Sequence, residues 1–245
     1  MSQIIVECLD VNYRLNHRIL VEKLNFKVLK GEVLVLLGRS GSGKTTTMKL
    51  INNLLTPTSG EVVVLGKTTT EWNPIQLRRR IGYVIQEIGL FPHFTVEQNV
   101  GLVPKLENWE RDRLQSRVYE MLELVGLEPK QFAKRYPHQL SGGQRQRVGV
   151  ARAIAADPPI LLMDEPFGAL DPITRLELQR EFRQLQQQLG KTVIFITHDI
   201  QETFFLASRI GLMQHGRLVE LDTPAEFIKS QQPEALAFLE CLHQQ

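Results

Sequence analysis

Eight consecutive residues, Gly38-Arg39-Ser40-Gly41-Ser42-Gly43-Lys44-Thr45, fit the pattern G-x-x-x-x-G-K-[ST], whose chemistry is the cradling of phosphate. Glycines let the backbone wrap until several N–H groups converge on one anion. A helix starting behind Lys44 would add its positive end at the same point, with Thr46 completing the binding stretch. The Lys44 ammonium reaches β- and γ-phosphates, and the Thr45 hydroxyl is a ligand for Mg²⁺. Far along the chain, the apolar run Ile160-Leu161-Leu162-Met163 ends in Asp164-Glu165-Pro166. Asp164 at a strand's carboxyl end is placed to hold a magnesium shell, where ligands gather in open α/β sheets. Glu165 would orient or deprotonate an attacking water. A strand ending in two acids could merely cap the next helix; behind a phosphate loop it reads as catalytic.

A second cradle lies at Leu140-Ser141-Gly142-Gly143-Gln144. Ser141 with Gln144 three residues on is a capping box, which could simply start a helix running to Ala156. Two glycines at a helix N-terminus also make a site open enough for a γ-phosphate.

Extended by Arg145-Gln146-Arg147, this stretch resembles the signature sequence of ABC ATPases. The resemblance covers nearly the whole chain and implies ATP with Mg²⁺ as cofactors. It makes Tyr13 the aromatic that stacks on adenine. Gln86, after Ile81-Gly82-Tyr83-Val84-Ile85, becomes the glutamine that touches Mg²⁺ and water, alongside Thr45 and Asp164. His198, in Ile196-Thr197-His198-Asp199, becomes the switch histidine facing the γ-phosphate. Gly168-Ala169-Leu170-Asp171 resembles the loop that crosses the interface of an ATP-bound homodimer. In that dimer, Ser141, Gly142, Gly143 and Gln144 close on the nucleotide held by the other copy. Two departures stand out: Arg39 where relatives often carry proline, and Gly168 in place of a frequent serine.

The stretch from Gly82 through Gln86, Phe91-Pro92-His93-Phe94-Thr95 and Val100 is similar to importer subunits. Its aromatics, in the region Gln86 to Thr95, would form a groove for a helix of a transmembrane permease. Packing of the helical block by Phe91 and Phe94 is the plainer reading of the same residues. Thr45-Thr46-Thr47-Met48-Lys49-Leu50-Ile51-Asn52 and Leu102-Val103-Pro104-Lys105-Leu106 resemble the osmoprotectant branch, which imports glycine betaine, choline and similar quaternary amines. A substrate-binding protein would be an indirect partner. Import of an amino acid or sulfonate, or a non-transport ABC ATPase, are the rival readings. Larger members of the branch carry a C-terminal regulatory pair, which a chain ending at Gln245 is not expected to include.

These residues need a particular scaffold. Glu32 followed by Val33-Leu34-Val35-Leu36-Leu37 is nearly all apolar, as a parallel strand buried on both faces should be. It leads into the glycine turn and a helix over residues 44–54. Further strands are predicted at 4–9, 26–28, 61–65, 81–85, 160–163 and 192–197. Between Gly89 and Gly143 the strand signal vanishes, and Leu114, Val118, Met121, Leu122 and Val125 recur at helical spacing. Asp171-Pro172 opens a helix that Gly190 ends. Thr223-Pro224 opens another, and Ala235, Phe238, Leu239 and Leu242 stripe the last. The expected fold is α/β, a P-loop NTPase (RecA-like) parallel-sheet core over residues 1–88 and 148–245. The loss of strand signal marks an α-helical subdomain inserted at 89–147, and the resemblance implies an N-terminal antiparallel β subdomain, all within a single ABC ATPase domain of residues 1–245.

Net charge is +2 over 245 residues, too mild for a nucleic-acid protein. The run Arg78-Arg79-Arg80 reads as a solvated helix end. Cys8 and Cys241 are too few and too distant for a disulfide scaffold, and both are expected as buried hydrophobes in a reducing compartment. No signal peptide is visible, and no apolar run approaches the ~20 residues of a membrane helix. The expected place is peripheral, at the cytoplasmic face of the cell membrane.

Overall fold

The computed structural model describes residues 3–86, 89–168 and 170–243. The long hairpin β1 (Ile4–Leu15) and β2 (Arg18–Leu29) precedes β3 (Val33–Leu37), α1 (Lys44–Ile51), β4 (Ser59–Val64) and β5 (Lys67–Thr68). Next come α2 (Pro74–Arg79), β6 (Ile81–Val84), α3 (Val96–Val100), α4 (Leu102–Leu106), α5 (Arg111–Leu124) and α6 (Pro129–Phe132). They are followed by α7 (Gly142–Ile154), β7 (Ile160–Asp164) and α8 (Pro172–Leu189). The chain ends in β8 (Thr192–Thr197), α9 (Ile200–Leu206), β9 (Arg209–Gln214), β10 (Arg217–Asp222), α10 (Pro224–Phe227) and α11 (Pro233–His243).

These elements pack as two compact units, one of residues 1–78 with 191–245, the other of residues 79–190. In the first, β3 pairs in parallel with β8 on one side and β9 on the other. All five residues of β3 are buried, as a strand covered on both faces requires. β10 returns antiparallel on β9. A separate antiparallel sheet runs in the order β2-β1-β4-β5, the expected N-terminal β subdomain. The helix α11 seats Ala235 and Leu239 in a core with Leu37, Ile210 and Leu212. Arg78 is more than a solvated end: it donates to the carbonyls of Asn52 and Asn53 just after α1, at 3.3 and 2.5 Å.

Cys241 corrects an expectation. Cys8 is buried, but Cys241 is exposed. The stripe of Ala235, Leu239 and Leu242 takes the core face of α11, and at 3.6 residues per turn position 241 falls on the other side.

In the second unit, β6 and β7 pair in parallel. Its remaining described elements are helices. α8 obeys its local signals: Asp171 accepts from Thr174 N, Pro172 is the first helical residue, and Gly190 ends the helix at φ 59°. Only glycine takes that left-handed cap without cost.

Candidate nucleotide site

In the first unit, β3 runs out at Leu37 and the chain must turn at once. A Cβ on Gly38 would meet Met213 O at 2.3 Å, and one on Gly43, at φ 104°, would meet Leu20 O at 2.8 Å. Both positions therefore need glycine to let the loop press against the neighbouring backbone. The loop is pinned by Ser42 N donating to Arg39 O (3.2 Å) and Gly216 N donating to Ser42 O (3.0 Å). The Lys44 ammonium donates to Gly38 O at 2.6 Å and Arg39 O at 3.0 Å. Gly43 caps α1 without a side-chain hydrogen bond, and the positive end of the helix there favours an anion. Ser42 Oγ is buried and has no hydrogen-bond partner; a phosphate oxygen would supply one, so these residues fit a nucleotide phosphate. A cavity of about 350 Å³ lies against the loop, lined by residues 39–42 with Gln214, His215 and Glu234.

The same unit carries Tyr13, half-buried on β1 opposite Val21, and His198, exposed immediately after β8. Asp199 next to it caps α9 by accepting from Gln201 N and Glu202 N at 2.8 and 3.1 Å.

In the second unit, Asp164 ends β7 almost fully buried. Glu165 follows at φ 44°, a left-handed conformation that is costly for a residue with a Cβ and that clusters at functional sites. Gln86, placed after β6, donates from Nε2 to Glu165 Oε2 at 3.2 Å. The structure thus brings together two of the predicted catalytic residues. Burial first, and the Asp164 charge second, push the Tyr83 phenol up to about 12, so Tyr83 stays a neutral neighbour of that carboxylate.

Ser141 opens α7 with both halves of its capping box: Gln144 N donates to Ser141 Oγ (3.2 Å), and Ser141 N donates to Gln144 Oε1 (3.0 Å). A Cβ on Gly143 would lie 2.7 Å from Thr174 Cγ2 of α8, so glycine permits the helix-on-helix approach. Ser141 is exposed and Gly142 half-buried, which leaves the cradle facing solvent. Glu87 and Ile88 of the glutamine loop and Ala169 of the crossing loop lie outside the described residues.

Asn99 is not marked by the sequence alone. Buried Asn99 donates to the carbonyls of Phe91, Phe94 and Thr95 (3.2, 3.2 and 3.0 Å) and accepts from Phe91 N (2.8 Å). It braces a segment that has no regular structure. Phe91, His93 and Phe94 cluster there, with ring centroids 4.6–6.0 Å apart. An asparagine inside a helix, against its propensity, is the one local signal that could have marked it.

A family model described as ABC transporter matches residues 21–168. The chain belongs to that family. A glycine betaine/carnitine/choline transport ATP-binding protein of Bacillus subtilis is 52% identical over 86% of this chain and 55% of its own length. A glycine betaine uptake system ATP-binding protein of Escherichia coli is 52% identical over 83% of this chain and 66% of its own. The chain spans about half the length of several of the curated relatives it matches. Among solved structures, the ATP-binding cassette MJ0796, captured as a dimer with ADP and Pi, is 34% identical with a TM-score of 0.79, covering 89% of this chain and 98% of its own. The ABC transporter protein cbiO1 of Clostridium perfringens aligns at TM-score 0.85 and 28% identity, over 94% and 93% of the two chains. The P-loop NTPase fold expected from the motifs is the fold of these cassettes.

Proposed function

We propose that this chain is the ATP-binding and ATP-hydrolysing subunit of an ABC importer for osmoprotectant quaternary amines such as glycine betaine, choline or carnitine. The observation that carries the enzymatic part is the Glu165 carboxylate, set at the end of a buried strand and hydrogen-bonded by Gln86. A carboxylate held there is a base for a water molecule, and Gln86 orients it. Lys44 neutralises charge as the β–γ bond breaks, the step that yields ADP and phosphate. His198 faces the transferred phosphoryl group, and Tyr13 stacks on the base. The residues assigned to Mg²⁺ are Thr45, Gln86 and Asp164; the ion supplies charge neutralisation on the phosphates. The relatives' names support the quaternary-amine part.

Partners follow from two surfaces. Phe91, His93 and Phe94, braced by Asn99, offer an apolar contact for a helix of the permease, in the region 86–95. A cavity of about 600 Å³ adjoins them, lined in part by Phe94, Gly101, Leu102, Leu106, Leu114 and Val118, which suits a helix laid in a groove. Among the described residues no helix is long and apolar enough to cross a membrane. Attachment through the permease would hold the chain at the cytoplasmic face.

The second phosphate cradle, residues 141–144, acts on the nucleotide of a second copy. Glu165→Gln keeps size and polarity but removes the base. It should accumulate as an ATP-dependent dimer on a sizing column, and adding Ser141→Arg should abolish that dimer. A Glu165→Gln protein that stays monomeric at saturating ATP and Mg²⁺ would count against the mechanism. For the solute, the complex reconstituted with its permease should take up betaine or choline; uptake of an amino acid or sulfonate alone would refute that assignment.

A further inference from the structure

Arg39 belongs to the phosphate loop, yet its side chain is held by a helix 195 residues further along the chain. Arg39 Nε donates to Glu234 Oε1 at 2.7 Å, and Gln214 Nε2 donates to Glu234 Oε2 at 3.1 Å. We propose that Glu234 is a positioning residue for ATP binding: through Arg39 it fixes the carbonyl on which Lys44 rests. This builds on the assignment of residues 38–45 to ATP.

The chain of contacts is short. Arg39 O is the acceptor for both Ser42 N and the Lys44 ammonium. The Arg39 side chain is 70% exposed, whereas that of Glu234 is only 10% exposed, so the carboxylate is the fixed end of the pair. It stands in the first turn of α11, where a negative charge is favoured. Its neighbour Ala235, with Leu239, is seated in the core beside Leu37, the residue that leads into the loop. Gln214 ends β9 directly after Met213, whose carbonyl backs Gly38. Glu234 therefore ties the Arg39 side chain to two rigid elements. A loop held in its binding shape pays less ordering cost when the nucleotide arrives.

The opposing effect is that releasing Arg39 frees a cation beside the phosphates, which would tighten binding instead. The experiment decides between them on the full chain, with ATP itself as probe, by steady-state kinetics and calorimetric titration. Glu234→Ala and Arg39→Ala should each raise KM and Kd for ATP about fivefold, the upper end for a pair with one solvent-exposed partner, with a smaller change in kcat. The double variant should match either single one, because both break the same link. The exchange Arg39→Glu with Glu234→Arg should restore most of the affinity. Unchanged or lower KM in Glu234→Ala, additive effects in the double variant, or a drop in Tm without a change in KM would each overturn the proposal. If Lys44→Ala binds ATP as well as the wild type, it is the loop assignment that falls.

Discussion

At the scale of single residues, the phosphate loop works by placing one ammonium. Lys44 is buried and held on the carbonyls of Gly38 and Arg39, so an incoming γ-phosphate finds a cation already within the loop. Lys44→Ala should reduce ATP hydrolysis by several orders of magnitude, since catalysis here rests on positioning and charge. Wild-type turnover in that variant would dismiss the loop. The motifs proposed to form the site stand out in the sequence where their chemistry is local: a glycine pattern, an acid pair after an apolar run, a capping box; Tyr13, Gln86 and His198 rest on the family resemblance. Asn99 and Glu234 were not legible. Their roles depend on partners that only folding brings near, and Glu234 meets Arg39 from the far end of the chain.

At the scale of elements, helix boundaries were read best where capping chemistry is strong. The start of α8 at Asp171-Pro172 and its end at Gly190 are as expected, and so is the Ser141 box of α7. The long β1–β2 hairpin was read only as fragments at 4–9 and 26–28. Its register shifts between Cys8 and Val11, between Val11 and Tyr13, and between Tyr13 and Arg14. Each bulge breaks the alternation on which a strand is recognised. The cap of α8 also predicts a pH dependence. Hydrogen bonds from the Thr174 backbone first, and its side chain second, hold the Asp171 carboxyl below the usual range. A group depressed on folding adds stability above its unfolded value, about 3.9, and that stability is lost as pH falls through the folded value. Asp171→Asn keeps the cap without the charge. Its Tm should lie below wild type at neutral pH and converge with it as pH falls below about 4. A difference that stays constant over that range would exclude the effect.

At the scale of the whole molecule, the proposed function requires that ATP hydrolysis be felt by a permease. The aromatic cluster of Phe91, His93 and Phe94 begins five residues after Gln86 and is braced by Asn99. Replacing both phenylalanines with alanine should weaken permease binding about tenfold or more, as loss of buried aromatic anchors does. ATP binding by the isolated subunit should survive. Collapse of ATP binding with the fold intact would show that the cluster serves the nucleotide instead. The conformation of Glu165 bears on the molecule's history under selection. A side chain at φ 44° costs roughly 1–2 kcal/mol that glycine would not incur, partly offset by glycine's greater freedom in the unfolded chain. Glu165→Gly should therefore melt slightly higher than wild type while losing hydrolysis, and a lower Tm would contradict this. A library screened for heat resistance alone would drift toward an inert protein at this position, so the glutamate persists only where the proposed hydrolysis is under selection.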